Sequence, residues 1–393
     1  MLFIGQQGGT PLRISLKPNH LTIGLGPADA MQVISYDYAG RLWTAFFDGV
    51  THRRGLDGRI MAKWRAGDAR RRAWLSAPDA GQIEARAHRL TTSLLAEVER
   101  GAIPLAPPAR DILARAAAFD SAGDAARFAA IYQPIGILPP DQYMAVVLQA
   151  AEGCSFNTCT FCDFYKARPF RIKPPDEFRA HAGAVRAFLG DGLSLRRGIF
   201  LGDANALVIP LRRLMPLLET VHDLYDVAAL GGVYAFLDGF SGRKKSADDY
   251  RLLAQAGLRR VYIGLESGCA DLLAFLNKPG TPADALQAVN ALKAAGVSVG
   301  VIVLLGAGGA AYDAAHVRDT VALLNRMPLD KDDILYLSEL VVSEDLPYAR
   351  QAASGGIARL TPEAVRAQGE RIAAGLHGIQ PRISRYNIEE FIY

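Results

Sequence analysis

The chain has 393 residues, 50% of them hydrophobic and 21% charged, with 44 lysines and arginines against 40 aspartates and glutamates, and four cysteines. A chain this apolar buries enough surface to offset its ordering entropy, which excludes a mostly disordered protein, and its near balance of charge predicts neither obligatory nucleic-acid binding nor membrane attachment. The longest apolar run, 297–311, is laced with glycine and falls short of the roughly 18–20 residues that span a bilayer, and residues 1–11 lack a basic segment followed by an apolar stretch, so a reducing cytoplasmic compartment is expected and the cysteines are read as thiols or ligands.

Taken in chain order, residues 12–25 and 31–47 are β-type runs broken by glycine and proline, whereas 82–100 and 109–130 carry helical periodicity. Together they predict an α+β module over 1–139. Within it Arg53, Arg54, Arg59, Lys63, Arg65 and Arg70, Arg71 and Arg72 interleave with Trp43, Trp64 and Trp74. Basic and aromatic side chains in that mixture suit phosphates and unstacked bases, which makes RNA a partner to weigh. Asp57 and Asp68 interrupt the run, and a solvated charged face is the preferred reading. Pro134 to Pro140 marks a boundary, because Pro139-Pro140 stops a helix from passing through.

From residue 144 onward, apolar β-rich runs alternate with polar turns and helical stretches. The candidate strands are 144–149, 198–201, 232–237, 260–265, 298–305 and 334–340. After the first, they recur every thirty to forty residues or so, as βαβ units do when each parallel strand needs a helical crossover. Six strands of one hand predict a barrel or a large part of one. Thr281, Pro282 and Asp284 read as an N-cap, a proline at the first helical position and an acid in the first turn, with Leu286, Val289 and Leu292 as the apolar stripe and Gly296 as the stop. Ser246 with Asp248 and Asp249 opens another helix, whose Leu252, Leu253 and Ala256 are expected to face the sheet before Gly257 ends it. Beyond the last strand, 361–377 reads as a helix and 383–393 as an extended tail. The expected organisation is an N-terminal module, a core over 140–345 and a C-terminal extension over 346–393.

Cys154, Cys159 and Cys162 are spaced C-x4-C-x2-C directly after the first core strand. Three thiolates at such short range are costly unless a cation neutralises them, so metal binding is the leading account. A structural zinc site would need a fourth Cys or His, and the nearest histidine, His181, lies well beyond the segment. The same spacing opens the plant-type ferredoxin pattern of a [2Fe–2S] cluster, with Cys269 as candidate fourth ligand; several βαβ units stand between it and Cys162. The alternative is a [4Fe–4S] cluster on three thiolates with one iron left open.

These residues resemble the radical S-adenosylmethionine (radical SAM) superfamily, whose usual C-x3-C-x2-C signature follows the first strand of a partial (β/α)6 TIM-like barrel; here one residue is inserted. The resemblance runs over 142–340 and implies a [4Fe–4S] cluster on Cys154, Cys159 and Cys162 and S-adenosyl-L-methionine (SAM) as the second cofactor. Phe161 matches the aromatic that lies beside the adenine. Phe200-Leu-Gly-Asp-Ala-Asn-Ala206 stands where the family grips the methionine amino group, with Gly202, Asp203 and Asn205 in place of the usual Gly-Gly-Glu. Ile263-Gly-Leu-Glu-Ser-Gly268, followed by Asn277-Lys-Pro-Gly-Thr281, resembles the Glu266-bearing segment of one large branch, and the run from Gly300 to Gly306 resembles the segment whose backbone meets the adenine. The implied activity is reductive cleavage of SAM to a 5′-deoxyadenosyl radical that takes hydrogen from a substrate, with a flavodoxin or ferredoxin as electron donor. Independently of the resemblance, barrels of parallel strands gather catalytic groups at the carboxyl ends of the strands, so the cysteines, Asp203, Glu266 and Gly306 are expected to converge.

Plainer readings stand beside these. Glu266 and Asp203 would serve as helix N-terminal acids, and Phe161 would pack a core. Cys269, read with Glu266 as a catalytic candidate, is either a hydrogen-atom donor or nucleophile or, the reading favoured, a small buried apolar residue. Lys166, Arg168, Arg171 and Lys173 meet either a SAM carboxylate or anionic substrate, or water. A rival of another class is a non-catalytic iron–sulfur or zinc barrel acting as scaffold or redox sensor. With one cysteine outside the triplet, a second cysteine-held cluster has no ligands, and the chain has no Asp-x-His-x-x-Gly segment of the cobalamin-binding kind.

Overall fold

Short alternating runs separated by glycine pairs are the pattern of antiparallel hairpins. In the computed structural model, which describes residues 1–242 and 244–393, they are β1 (Leu2–Gln7), β2 (Thr10–Leu16), β3 (Leu21–Leu25), β4 (Gln32–Tyr36), β5 (Leu42–Phe47), β6 (Val50–Arg54), β7 (Ile60–Ala66) and β8 (Ala69–Trp74). They pair antiparallel in chain order as one sheet. Gly8-Gly9 and Asp48-Gly49 hold positive φ at both turn positions, as two-residue hairpin loops require. Helices α1 (Ala77–Glu99), α2 (Pro107–Ala117) and α3 (Ser121–Ile131) follow, and Leu12, Ile14, Leu21, Ile23 and Ile34 pack with Leu94 and Leu113 in the core of this part.

Four of these strands, β1 and β6 to β8, lie outside the runs expected from sequence; β6 and β8 are rich in polar and basic residues, β7 is apolar only over Ile60–Ala62, and β1 is a short run at the sheet edge. The basic run is also partly spent in the fold. Arg54 is buried and pairs with Glu84 at 2.7 Å, and Arg41 and Arg54 both meet Asp124, which is fully buried. Arg59 pairs with Asp57 and lies over the Trp74 ring at 4.4 Å.

The chain divides into two compact units. One comprises Met1–Pro134, Gly183–Arg196 and Ile392–Tyr393, the other Ile135–Ala182 and Arg197–Phe391. The second unit holds β9 (Val146–Gln149), the short pair β10 (Ala151–Glu152) and β11 (Arg171–Ile172), and most of α4 (Pro175–Leu189). Next come β12 (Ile199–Gly202), α5 (Leu211–Leu224), β13 (Val233–Leu237), α6 (Gly239–Gly242), α7 (Ala247–Gln255), β14 (Leu258–Glu266), α8 (Ala270–Phe275) and α9 (Pro282–Ala294). The last elements are β15 (Ser298–Leu305), α10 (Gly309–Leu324), β16 (Ile334–Glu339), α11 (Pro347–Ser354), α12 (Pro362–Ala374) and β17 (Arg382–Tyr386).

Strands β9, β12, β13, β14, β15, β16 and β17 form a seven-stranded sheet in chain order, every neighbouring pair parallel. This is a partial α/β barrel of parallel strands. The inner strands are apolar and buried along nearly their whole length, as strands covered on both faces must be. The seventh strand, β17, lies in the segment expected to be an extended tail. Its Arg-Ile-Ser-Arg-Tyr sequence is half-exposed at the sheet edge and lacks the apolar run that marks the others.

The helix signals place α7 and α9 well. Ser246 with Asp249 and Thr281 with Asp284 form capping boxes, each N-cap worth about 1 kcal/mol. Gly257 and Gly296 take the left-handed conformation that ends these helices. One expectation fails in detail: Tyr250 and Leu253 are the buried residues of α7, while Leu252 is 47% exposed. Residues three apart share a face, and Leu252 lies one step off it. At the amino end of the barrel Asp141 accepts hydrogen bonds from Tyr262 (2.6 Å), Tyr336 (2.7 Å) and Arg260 (2.9 Å). Among the described residues no helix is long and apolar enough to cross a membrane.

Candidate active site

The chain leaves β9 and β10 into the loop that carries the cysteines and returns through β11. Ala151 pairs with Ile172 and Glu152 with Arg171 at its neck. Gly153, in the left-handed region at φ 73°, turns the chain into Cys154, and a Cβ there would come within 3.0 Å of the Arg168 and Pro169 carbonyls. The basic residues of the loop do not line the cavity described below; they fasten the loop, and Lys166 and Arg171 are at the same time exposed to water. Arg171 and Lys173 both pair with Glu152 (2.6 and 2.5 Å), Arg168 pairs with Asp203 (3.1 Å), and the Lys166 ammonium donates to the Asn157 and Cys159 carbonyls. On the far side the Thr160 backbone N–H donates to the Leu276 carbonyl, and Asn277 donates to the Thr158 carbonyl.

The loop opens onto a cavity of about 320 Å³ within the barrel unit, lined by Cys154, Cys159 and Cys162 and by groups from the carboxyl ends of the strands. Phe161, Asn205 and Glu266 line it, as expected from sequence. Gly202, Asp203, Gly306 and Cys269 do not. Gly202 is spent in the β12–β9 pairing, opposite Gln149. Asp203 turns toward the loop, where Gln149 (2.8 Å), the Gly153 N–H (3.1 Å) and Arg168 all donate to its carboxylate. Burial raises its pKa, and those three donors pull it back. The Gly306 N–H is taken by Gln368 of α12 at 2.8 Å. Cys269 is 4% exposed and packs against Leu272, Leu276, Leu304 and Tyr348.

Glu266 reaches the cavity through a distortion of its strand. The β14–β15 register shifts between Gly264 and Glu266, and Glu266 itself sits at φ 60°, a conformation costly for a non-glycine residue. Its carboxylate accepts from the Lys278 ammonium at 2.9 Å. Burial works against that ammonium, but Glu266 and the Cys159 thiol outweigh it and hold the lysine pKa above its ordinary value. The glycines around Glu266 have steric reasons. A Cβ on Gly264 would meet the Glu266 carboxylate at 2.6 Å and the Lys278 nitrogen at 3.0 Å, and one on Gly268 would meet the Asp319 carbonyl of α10 at 2.4 Å. Behind the turn the Ser267 hydroxyl lies 2.7 Å from His316 Nδ1 and accepts from the Cys269 N–H.

Among the lining residues given no role by the sequence reading are Asp238, Lys278 and Tyr386. Asp238 follows β13 as Asp203 follows β12, so the strand-end rule would have found it. Asn205 donates to Asp238 through Nδ2, and its Oδ1 is buried with no hydrogen-bond partner among the described residues. Asn205 and the three cysteines line the same cavity.

The donor set suits an iron–sulfur cluster. None of the cysteines is in a disulfide, and those of the triplet are half-buried. Burial pushes the Cys162 thiol up to about 11, and the Cys159 and Cys154 thiols add to the rise. At Cys159 and Cys162, whose pKa values burial raises, the neutral thiol is therefore favoured until a cation arrives. Cys269, walled into the core, is no fourth ligand in this arrangement, which leaves three cysteines for a cluster with an open iron. Among the described residues no group of three or more His, Cys, Asp or Glu side chains could hold a single metal ion.

Residues 148–321 match the family model of the radical SAM superfamily. No curated protein sequence matches the chain. Among solved structures, the chain is similar to the cobalamin-dependent S-adenosylmethionine radical enzyme OxsB with aqua-cobalamin and S-adenosylmethionine bound (16% identity over 59% of this chain and 31% of that one, TM-score 0.37). It is similar also to the radical S-adenosylmethionine methyltransferase TsrM from Kitasatospora setae (18%, 57% and 40%, TM-score 0.40) and to coproporphyrinogen III oxidase HemN from Escherichia coli (13%, 46% and 38%, TM-score 0.35). The chain thus spans well under half the length of these three proteins. The family's cofactors are a [4Fe–4S] cluster and SAM. The segment that matches this family model, residues 148–321, is the one that carries the cysteine loop and the strand ends around it.

Proposed function

We propose that the protein is a radical SAM enzyme in which Cys154, Cys159 and Cys162 hold a [4Fe–4S] cluster and the neighbouring strand ends bind SAM. The observation that carries this reading is the convergence of the three free thiols with Glu266, Lys278 and Asn205 on one cavity at the carboxyl ends of parallel strands. The cofactor pair supplies, when bound and reduced, the 5′-deoxyadenosyl radical for hydrogen abstraction.

The chain's own residues bind, orient and exclude water. Glu266, fixed by Lys278, offers an acceptor to a bound N–H or O–H donor, and Asn205 lines the cavity beside it. Phe161, half-buried against Cys269 and its neighbours, gives the wall on that side an aromatic face. Asp203 and Arg168 act at one remove, holding the loop in register. The electron comes from a low-potential donor of the flavodoxin or ferredoxin type, in a reducing compartment such as the cytoplasm, where the thiols stay free.

The test is anaerobic reconstitution with iron and sulfide, followed by addition of SAM and dithionite and assay for 5′-deoxyadenosine. Reductant-dependent formation supports the enzyme. An intact cluster that yields none overturns it and leaves a scaffold or redox sensor.

A further inference from the structure

Resting on the radical SAM reading, we propose the class of substrate that this cavity takes: a mainly apolar molecule with a cationic, amine-type head, and not a phosphorylated or carboxylate-bearing one. The sheet order separates the two halves of the cavity. Groups at the ends of β9 to β14, the three cysteines with Asn205, Asp238, Glu266 and Lys278, form the half we assign to the cofactors. The remaining wall comes from β15, β16, β17 and the segments after β16 and β17, and it is mainly apolar, with Ile302, Leu304, Leu340, Val341, Leu346 and Ile388 beside the polar Ser338, Glu339, Ser343 and Tyr386. Phe156 and Val341 are each 40% exposed in the open state, an apolar rim that an apolar ligand would cover.

Charge decides the head group. Of the carboxylates that line the cavity, Asp163, Asp238 and Glu266 stand in the cofactor half, and in the half left for the substrate Glu339 is the one charged group among the described residues. Among the described residues, no arginine and no histidine lines the cavity. The one lysine, Lys278, is bound to Glu266 at 2.9 Å and is not available to an anion. A phosphate or carboxylate entering the substrate half would lose its hydration and find no cationic partner among the described residues that line it, a cost that buried anions rarely bear. An ammonium meets the opposite field. Glu339, at the end of β16 beside Ser338, is its nearest anchor in the substrate half. Its only salt bridge among the described residues is to Arg385 at 3.4 Å, between side chains that are both more than half exposed, so the pair is weak and readily exchanged.

The experiment uses four probes that share one apolar body, 4-phenylbutylamine, 4-phenylbutanol, 4-phenylbutanoate and 4-phenylbutyl phosphate. They are titrated calorimetrically into the full chain carrying its cluster and SAM, without reductant. The expected order is amine, then alcohol, then the two anions, with the amine about tenfold tighter than the carboxylate. Glu339→Gln should cut the amine's advantage about threefold and leave the alcohol unchanged, which also shows that the variant is folded. A carboxylate or phosphate that binds as tightly as the amine overturns the proposal, as does an advantage that E339Q does not touch. The radical reading fails separately: head-group discrimination that persists in a protein unable to form 5′-deoxyadenosine removes the chemistry and keeps the substrate class.

Discussion

The turns after β12 and β14 solve one problem in two ways. Each presents a polar residue to the cavity, Asn205 in one and Glu266 in the other, and each turns a second residue away from it, Asp203 and Cys269. After β12 the residue turned away is a buried carboxylate that binds Gln149, the Gly153 N–H and Arg168, and so fastens the loop carrying the cysteines. After β14 it is a small thiol among leucines, and the turn is fastened by Ser267, His316 and the close approach of Gly268 to α10. A strand end therefore marks the mouth of a barrel, but the hydrogen-bond partners around it decide which residue enters and which becomes support.

The largest effect is expected at the ligands that both turns serve. Cys159→Ala should reduce bound iron after reconstitution and bring 5′-deoxyadenosine formation to background, measured by iron analysis and chromatography. Unchanged iron content would remove the ligand assignment, and with it the meaning of the comparison.

Acidification should strike the β14 turn. Burial lowers the His316 pKa to about 4, below the value near 6.5 of an unfolded histidine. As pH falls the unfolded chain takes up this proton first. The stabilising contribution is whole above about pH 6.5 and is lost as pH drops from there toward 4, to an extent of about 3 kcal/mol. Denaturation midpoints of the native chain and of His316→Asn, compared between pH 7 and 4.5, should converge as the pH falls. Parallel curves would mean that His316 is not held neutral by the fold.

Paired substitutions sharpen the contrast between support and lining. Asp203→Asn keeps the shape but leaves Arg168 without its carboxylate, at about 2 kcal/mol. Iron should be lost on desalting, and SAM binding should fail with it. Glu266→Gln should instead retain iron and weaken SAM by about tenfold, the worth of a charge-assisted hydrogen bond. Both are read by iron content beside calorimetric SAM binding. If the two variants exchange phenotypes, the roles given to the two turns are reversed.

Much of this was legible in the residues. The parallel strands showed because buried strands are continuous apolar runs at βα spacing, and the cysteine loop because three thiols in nine residues, Cys154 to Cys162, are rarely accidental. β17 and β6 to β8 did not show, because edge and solvent-facing strands need no apolar run. Asp238 was open to the same argument as Asp203. The fastening of the loop by Lys166, Arg168, Arg171 and Lys173 was not legible, since whether a basic side chain meets water, ligand or a carboxylate depends on the path of the loop between β10 and β11. Nor did composition reveal that Asp203 would face the loop and Asn205 the cavity; two residues apart on an irregular turn, they differ only in the partners that the fold brings.

The smallest effect belongs to the residue that sequence placed nearest to chemistry. Cys269 lies three residues beyond Glu266, and a thiol at that distance from a radical site would be a good hydrogen donor, yet its side chain packs with Leu272, Leu276 and Leu304 and its residue is 4% exposed. A hydrogen donor must reach the reacting atom, and no wall of the cavity is made by this one. Cys269→Ala should therefore cost about 1 kcal/mol of stability, the price of one small buried side-chain atom, and leave 5′-deoxyadenosine and product formation within about twofold of the native chain. Product lost while 5′-deoxyadenosine persists is the outcome that would return Cys269 to the site. It would require the β14 turn to open during turnover, because the hydrogen bond from the Cys269 N–H to Ser267 otherwise keeps the start of α8 closed against it.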